Sequence, residues 1–177
     1  MLAALGVAFT VEPSHIPEEH PAAPPAEALA AVALAKARAV ARSLAEDDSA
    51  VVLGADTEVI LDGRLLGKPS GNADAFRILR SLRGRTHEVI TGVALAAAGS
   101  AGRTETAAVT TRVTMAAYSD AEIEAYVATG EPLDKAGAYA VQGLGGRLVA
   151  RVDGCRSNVV GLPVGTTRRL LESWGLL

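Results

Sequence analysis

Apolar and polar positions alternate with two different periods along this chain, and the alternation lays out most of its elements. The alanine-rich run Ala26–Leu44 follows Pro24-Pro25 and carries Leu29, Val32 and Leu34, which predicts a long helix. Ala75, Phe76, Ile78, Leu79 and Leu82 give Asn72–Leu82 one apolar face, a second helix. Val51–Ala55 is a short apolar run suited to a buried strand, with Asp56 at its end. Glu58–Leu61 and Arg64–Leu66 flank Asp62-Gly63, a two-residue hairpin signal. The threonines and valines of His87–Ala97 and Thr104–Met115 favour a twisted sheet, and Arg147–Val152 reads as a further strand.

The ends of elements are also written in the chain. Ser119-Asp120-Ala121-Glu122 is a capping box that opens a helix through about Ala128. Pro163–Trp174 is a last helix, with Gly175 just beyond it. Leu2, Leu5 and Gly6 make Met1–Phe9 resemble the tail of a helix closed by a left-handed turn. Thr10–Pro25, punctuated by prolines, is an extended loop, and Glu46-Asp47-Asp48 is a solvated acidic one. Gly143-Leu144-Gly145-Gly146 fits neither phosphate-loop nor dinucleotide spacing and reads as a turn. With no repeats and no long linker, the pattern predicts a single mixed α/β domain.

Composition narrows the function. The 177 residues are 49% hydrophobic and 21% charged, the balance of a globular protein of one-domain size. Seventeen basic residues against twenty acidic ones leave a net charge of −3, which argues against nucleic-acid polymers and anionic membranes as partners. A single cysteine, Cys155, excludes an intrachain disulfide and a cysteine-rich zinc site, and reads as a small buried hydrophobe. Neither a spanning helix nor a signal-like segment is legible, so a cytoplasmic location is expected.

Chemistry concentrates at few positions. Asp56, beside a glycine that lets a ligand approach the backbone, suits metal and phosphate chemistry, and equally suits a local turn cap. Glu18 is a possible second carboxylate for Mg²⁺ or Mn²⁺, or is simply solvated. Only three of the seventeen basic residues are lysines, Lys36, Lys68 and Lys135, against a strong bias to arginine, which marks them as positions wanting a compact ammonium. Lys68 lies between Gly67 and Pro69, a setting for a positioned cation. Gln142 ends a glycine-punctuated stretch and offers one donor group and one acceptor to a base edge. His15, His20 and His87 lack the spacing of a zinc site, and Ser157 and Cys155 lack a His–acid partner pattern.

Taken in order, Gly54-Ala55-Asp56-Thr57, Gly67-Lys68-Pro69, Gly84–Val93, Glu131–Tyr139, Gln142-Gly143 and Gly161-Leu162-Pro163 resemble the Maf family of nucleoside triphosphate pyrophosphatases. Lys36 also falls on a lysine of that pattern. The resemblance implies a two-lobed α/β fold like that of the inosine triphosphatases, with a mixed, elongated sheet flanked by helices. It implies a cytoplasmic, divalent-metal-dependent hydrolase that releases pyrophosphate from a nucleoside triphosphate, with a homodimer as an assembly seen in some members of the family. By position, Asp56 would be the base, Glu18 and Asp56 the metal-linked carboxylates, and Lys36, Lys68 and Lys135 ligands of substrate. Thr57 and Gln142 would select the base, and the Asp134–Tyr139 run with Gln142 resembles the dTTP/UTP-preferring subgroup. A second class of function, a nucleotide-binding regulator of septum formation with little catalysis, is the alternative. The family's opening strand and its Ser- and Arg-bearing phosphate loop are expected to lie before Met1, so hydrolysis by these 177 residues is expected to be weaker.

Overall fold

The computed structural model describes residues 1–44, 49–99 and 102–177. The acidic loop expected at Glu46-Asp47-Asp48 lies outside them. Among the described residues five helices, α1 (Pro25–Ser43), α2 (Asn72–Leu82), α3 (Asp120–Val127), α4 (Arg156–Val160) and α5 (Val164–Ser173), accompany five strands. The strands are β1 (Val51–Leu61), β2 (Arg64–Leu65), β3 (Thr86–Ala97), β4 (Thr104–Met115) and β5 (Val149–Asp153), and they form one open sheet in the order β2-β1-β3-β4-β5. Short 3₁₀ turns occupy Leu2–Leu5, Glu131–Asp134, Ala136–Ala138 and Leu144–Leu148.

Local chemistry explains these boundaries. Pro25 sits at the first turn of α1, where its missing N–H has no helical partner to lose. Ser119 Oγ accepts from Glu122 N while the Glu122 carboxylate accepts from Ser119 N at 2.7 Å, the reciprocal cap that starts α3. Asp62 and Gly63 both take positive φ, 52° and 76°, giving a hairpin turn whose twist matches its strands and pairs Leu61 with Arg64. β3, the middle strand, is buried without interruption from Val89 to Ala96, so it carries no polar face.

The sheet is antiparallel, where a mixed one was expected. β1 returns through a hairpin to β2, and Ala98 N donates back to Ala50 O, so β3 ends where β1 begins. A second difference concerns Asp56. It does not end a strand: β1 continues to Leu61, and Asp56 lies in its middle, only 7% exposed. A buried carboxylate is tolerated inside a strand when a charged partner meets it there, as Lys36 does here.

The chain divides into two compact units. One comprises Met1–Asp56, Thr91–Val109 and Gly161–Leu177. Its interior joins Leu5, Val93, Leu95, Leu170 and Leu171, and a second layer is made almost wholly of alanine: Ala33, Ala37, Ala41, Ala94, Ala96 and Ala98. The other comprises Thr57–Ile90 and Thr110–Val160, with α2 and α3 packed over Val59, Val89, Val113 and Met115. Asn158, fully buried there, donates to Val89 O (2.9 Å) and Thr111 Oγ1 (3.0 Å), tying α4 to the sheet.

Alanine on α1 has a geometric purpose. A side chain at Gly54 would lie 2.3 Å from Ala33 O, and one at Gly92 would lie 2.3 Å from the Leu29 carbonyl. α1 therefore rests backbone to backbone on β1 and β3, closer than any β-carbon allows.

Candidate active site

In the first unit, that close approach assembles a cluster. Lys36 is three residues after Ala33 on α1, hence on the same helix face, and Asp56 is two after Gly54, hence on the same strand face. Lys36 Nζ donates to Asp56 Oδ1 at 2.7 Å and to Glu18 Oε1 at 2.6 Å. His20 Nε2 lies 3.2 Å from Asp56 Oδ2, and because a carboxylate only accepts, this contact takes the Nε2–H form. Glu18 and His20, two apart in an extended segment, project to the same side of it. Burial alone would lower the pKa of Lys36, but its hydrogen bonds to Asp56 and then Glu18 outweigh burial and raise it.

Both acidic oxygens touch one ammonium, so they lie within about 5.3 Å of each other, the sum of the two distances. Among these four side chains there are two carboxylates to one ammonium, a charge balance that favours a further cation. Hard oxygen donors of this kind suit Mg²⁺ or Mn²⁺, which bind one or two carboxylates and complete their shell with substrate phosphates and water. Among the described residues no group of three or more His, Cys, Asp or Glu makes an all-protein cage, and such cations seldom use one. The residues fit a substrate-shared divalent cation.

The second unit holds the remaining expected positions. Gly67 O accepts from Gly137 N at 2.8 Å, and a side chain at Gly137 would strike Val59, so the Gly67-Lys68 and Lys135–Tyr139 loops are pinned together against β1. This brings Lys68, Lys135 and Asp134 to one place. Lys135 Nζ donates to Asp134 at 2.6 Å, and that bond, followed by weaker attraction including the Lys68 charge, lowers the Asp134 pKa. Lys68 is exposed and Lys135 half-exposed. Gln142 is exposed on the turn that follows. Thr57 is half-buried on β1, where alternation turns its side chain to the face opposite Asp56.

Two features were not legible beforehand. Lys36, expected on phosphate, is engaged by two carboxylates; His20, set aside as a loop residue, touches Asp56. The only sequence signal for His20 is its i+2 relation to Glu18. Cys155, expected to be buried, is half-exposed, its Sγ 3.2 Å from Ser157 Oγ.

Comparison with known proteins places the chain among relatives. The family model described as "Maf-like protein" matches residues 1–174. A dTTP/UTP pyrophosphatase of Moorella thermoacetica is 51% identical, the match covering 99% of this chain and 89% of that protein. Proteins of the same name from Anaeromyxobacter dehalogenans and Myxococcus xanthus are 49% and 51% identical, covering 99% of this chain and 88% and 87% of theirs. No helix among the described residues is long and apolar enough to cross a membrane. With identity of this level along nearly its whole length, the chain belongs to the Maf family.

Proposed function

We propose that this protein hydrolyses dTTP and UTP to the nucleoside monophosphate and pyrophosphate, acting on free nucleotides in the cytoplasm. The observation that carries the reading is the convergence of Asp56 and Glu18 on Lys36, in a chain about half identical to enzymes named for that activity. Those names also favour hydrolysis over a purely regulatory role.

In this reading Asp56 orients a water molecule and takes its proton as the water oxygen bonds to the α-phosphorus. The bond from that phosphorus to the bridging oxygen breaks, and its electron pair leaves with pyrophosphate. Each Asp56 oxygen keeps a lone pair free beside its bond to Lys36 or His20, so accepting from water costs neither contact. Lys36 pairs with the Asp56 carboxylate and can turn its ammonium to a phosphate oxygen as substrate enters. Asp56 and Glu18 would hold a Mg²⁺ or Mn²⁺ ion, which when bound supplies neutralisation of the polyphosphate charge. Lys68 and Lys135 add positive charge for the polyphosphate, which a chain of net charge −3 must supply locally. Gln142 and Thr57 contact the base, Gln142 through its amide.

The test is pyrophosphate release from a panel of nucleoside triphosphates with Mg²⁺ or Mn²⁺. Asp56→Asn keeps the shape and removes the base, and should lower turnover by about 10²-fold or more. Turnover that survives the substitution removes Asp56 from this role. Nucleotide binding by the wild type without release replaces hydrolysis with regulation.

A further inference from the structure

The turn that carries Gln142 is held from both ends by two side chains given no role in nucleotide chemistry so far. Glu131 Oε2 accepts from Leu144 N at 3.0 Å, and its Oε1 accepts from Gly145 N at 3.0 Å and from Tyr126 Oη at 2.8 Å. Tyr126 Oη in turn accepts from Ala140 N at 3.1 Å. Thus Ala140 on one side of Gln142, and Leu144 and Gly145 on the other, are bonded to a single coupled pair.

The packing leaves no slack. A side chain at Gly143 would lie 2.4 Å from Glu131 Oε2, and one at Gly145 would lie 2.4 Å from Tyr126 Oη. A methyl group at either glycine would displace the carboxylate or the phenol, because the turn backbone lies directly on the two side chains. Burial works against ionisation of Glu131, but the bonds from Gly145, Tyr126 and Leu144 and the nearby Lys135 charge prevail and lower its pKa. Consecutive backbone N–H groups closing on an anion form a stiff concave seat, here with the anion built into the protein.

We propose that Glu131, braced by Tyr126, is a positioning residue for nucleobase discrimination. By fixing the Ala140–Gly145 turn it sets where the Gln142 amide meets the base edge. A side-chain amide can rotate to satisfy several bases, so Gln142 discriminates among them only if its backbone is fixed. The inference rests on the assignment of base reading to Gln142 above.

The experiment compares kcat/KM for dTTP with that for dCTP and dATP. The proteins are wild type, Glu131→Gln, Tyr126→Phe, Gln142→Ala and the Glu131→Gln/Gln142→Ala double variant. Amide exchange at Leu144 and Gly145 reports whether the turn has loosened. The expected result is faster exchange and a preference for dTTP reduced about tenfold in Glu131→Gln, the scale of one misplaced hydrogen bond. Turnover of the disfavoured nucleotides should barely change, and the double variant should discriminate no worse than Gln142→Ala alone. Equal losses on all three nucleotides, or faster exchange with an unchanged preference, overturn the positioning role. An unchanged preference in Gln142→Ala overturns the base-reading assignment itself, a different pattern from the two preceding. Should Glu131→Gln fail to fold, Tyr126→Phe carries the same test, because it removes the bond to Glu131 and the acceptor for Ala140.

Discussion

Lowering the pH from 7 to 4 should destabilise this protein through one imidazole. His87 is 2% exposed on β3, its Nε2 2.8 Å from Tyr139 Oη and its ring edge-on to that of Tyr139 at 5.5 Å. Nδ1 is buried without a hydrogen-bond partner among the described residues. Burial pushes the His87 pKa down to about 4 from an ordinary 6.5, because the site offers the cation nothing in place of water. The folded pKa lies below the unfolded one, so between these values the unfolded chain binds more protons. The stabilisation is therefore whole above pH 6.5 and is lost as the pH falls towards 4. Integrated over that window the loss is about 2 kcal/mol at pH 5 and roughly 3 kcal/mol at pH 4. Carboxylates also titrate there, so the measurement is a difference: urea unfolding at several pH values for wild type and His87→Gln. The variant has a lower baseline and should lack the His87 share of the slope between pH 7 and 5. Parallel stability curves over that interval would refute the reasoning.

Two further substitutions test the packing. Gly92→Ala places a β-carbon 2.3 Å from the Leu29 carbonyl, so α1 must lift from β3; a loss of about 1–3 kcal/mol is expected from thermal unfolding. Hydrolysis should fall as well, because Lys36 rides on the displaced helix. Asn158→Ala removes the donors to Val89 O and Thr111 Oγ1 inside the second core and should cost about 1–3 kcal/mol by urea denaturation, with turnover per folded molecule preserved.

Regular elements were readable where one local signal sufficed. The Ser119 capping box, the Asp62-Gly63 turn and the apolar stripe of Asn72–Leu82 are each complete within a few residues, and each stands where it was expected. Arg147–Val152 was misplaced by two residues, β5 being Val149–Asp153, because a 3₁₀ turn over Leu144–Leu148 precedes it and has no periodic signature. α4 was missed because five residues are too few to show a helical period. At the site, motifs led to Asp56, Lys36 and Glu18, whereas their mutual contacts were hidden. An ion pair between residues 20 apart depends on how closely a helix approaches a strand, and no local pattern encodes that.

Gly54 and Gly92 carry that approach, and this bears on how the protein tolerates sequence change. The height of Lys36 above Asp56 is set by main-chain atoms of Ala33 and Leu29 meeting main-chain atoms of the sheet. Peptide groups are the same in every variant of the chain, so substitutions on the exposed face of α1 can accumulate without moving the lysine, provided the buried Ala33, Ala37 and Ala41 stay small. Vulnerability is correspondingly concentrated: at those two positions one extra methyl group wedges the helix away, and no compensating mutation on α1 can trim a carbonyl oxygen to make room.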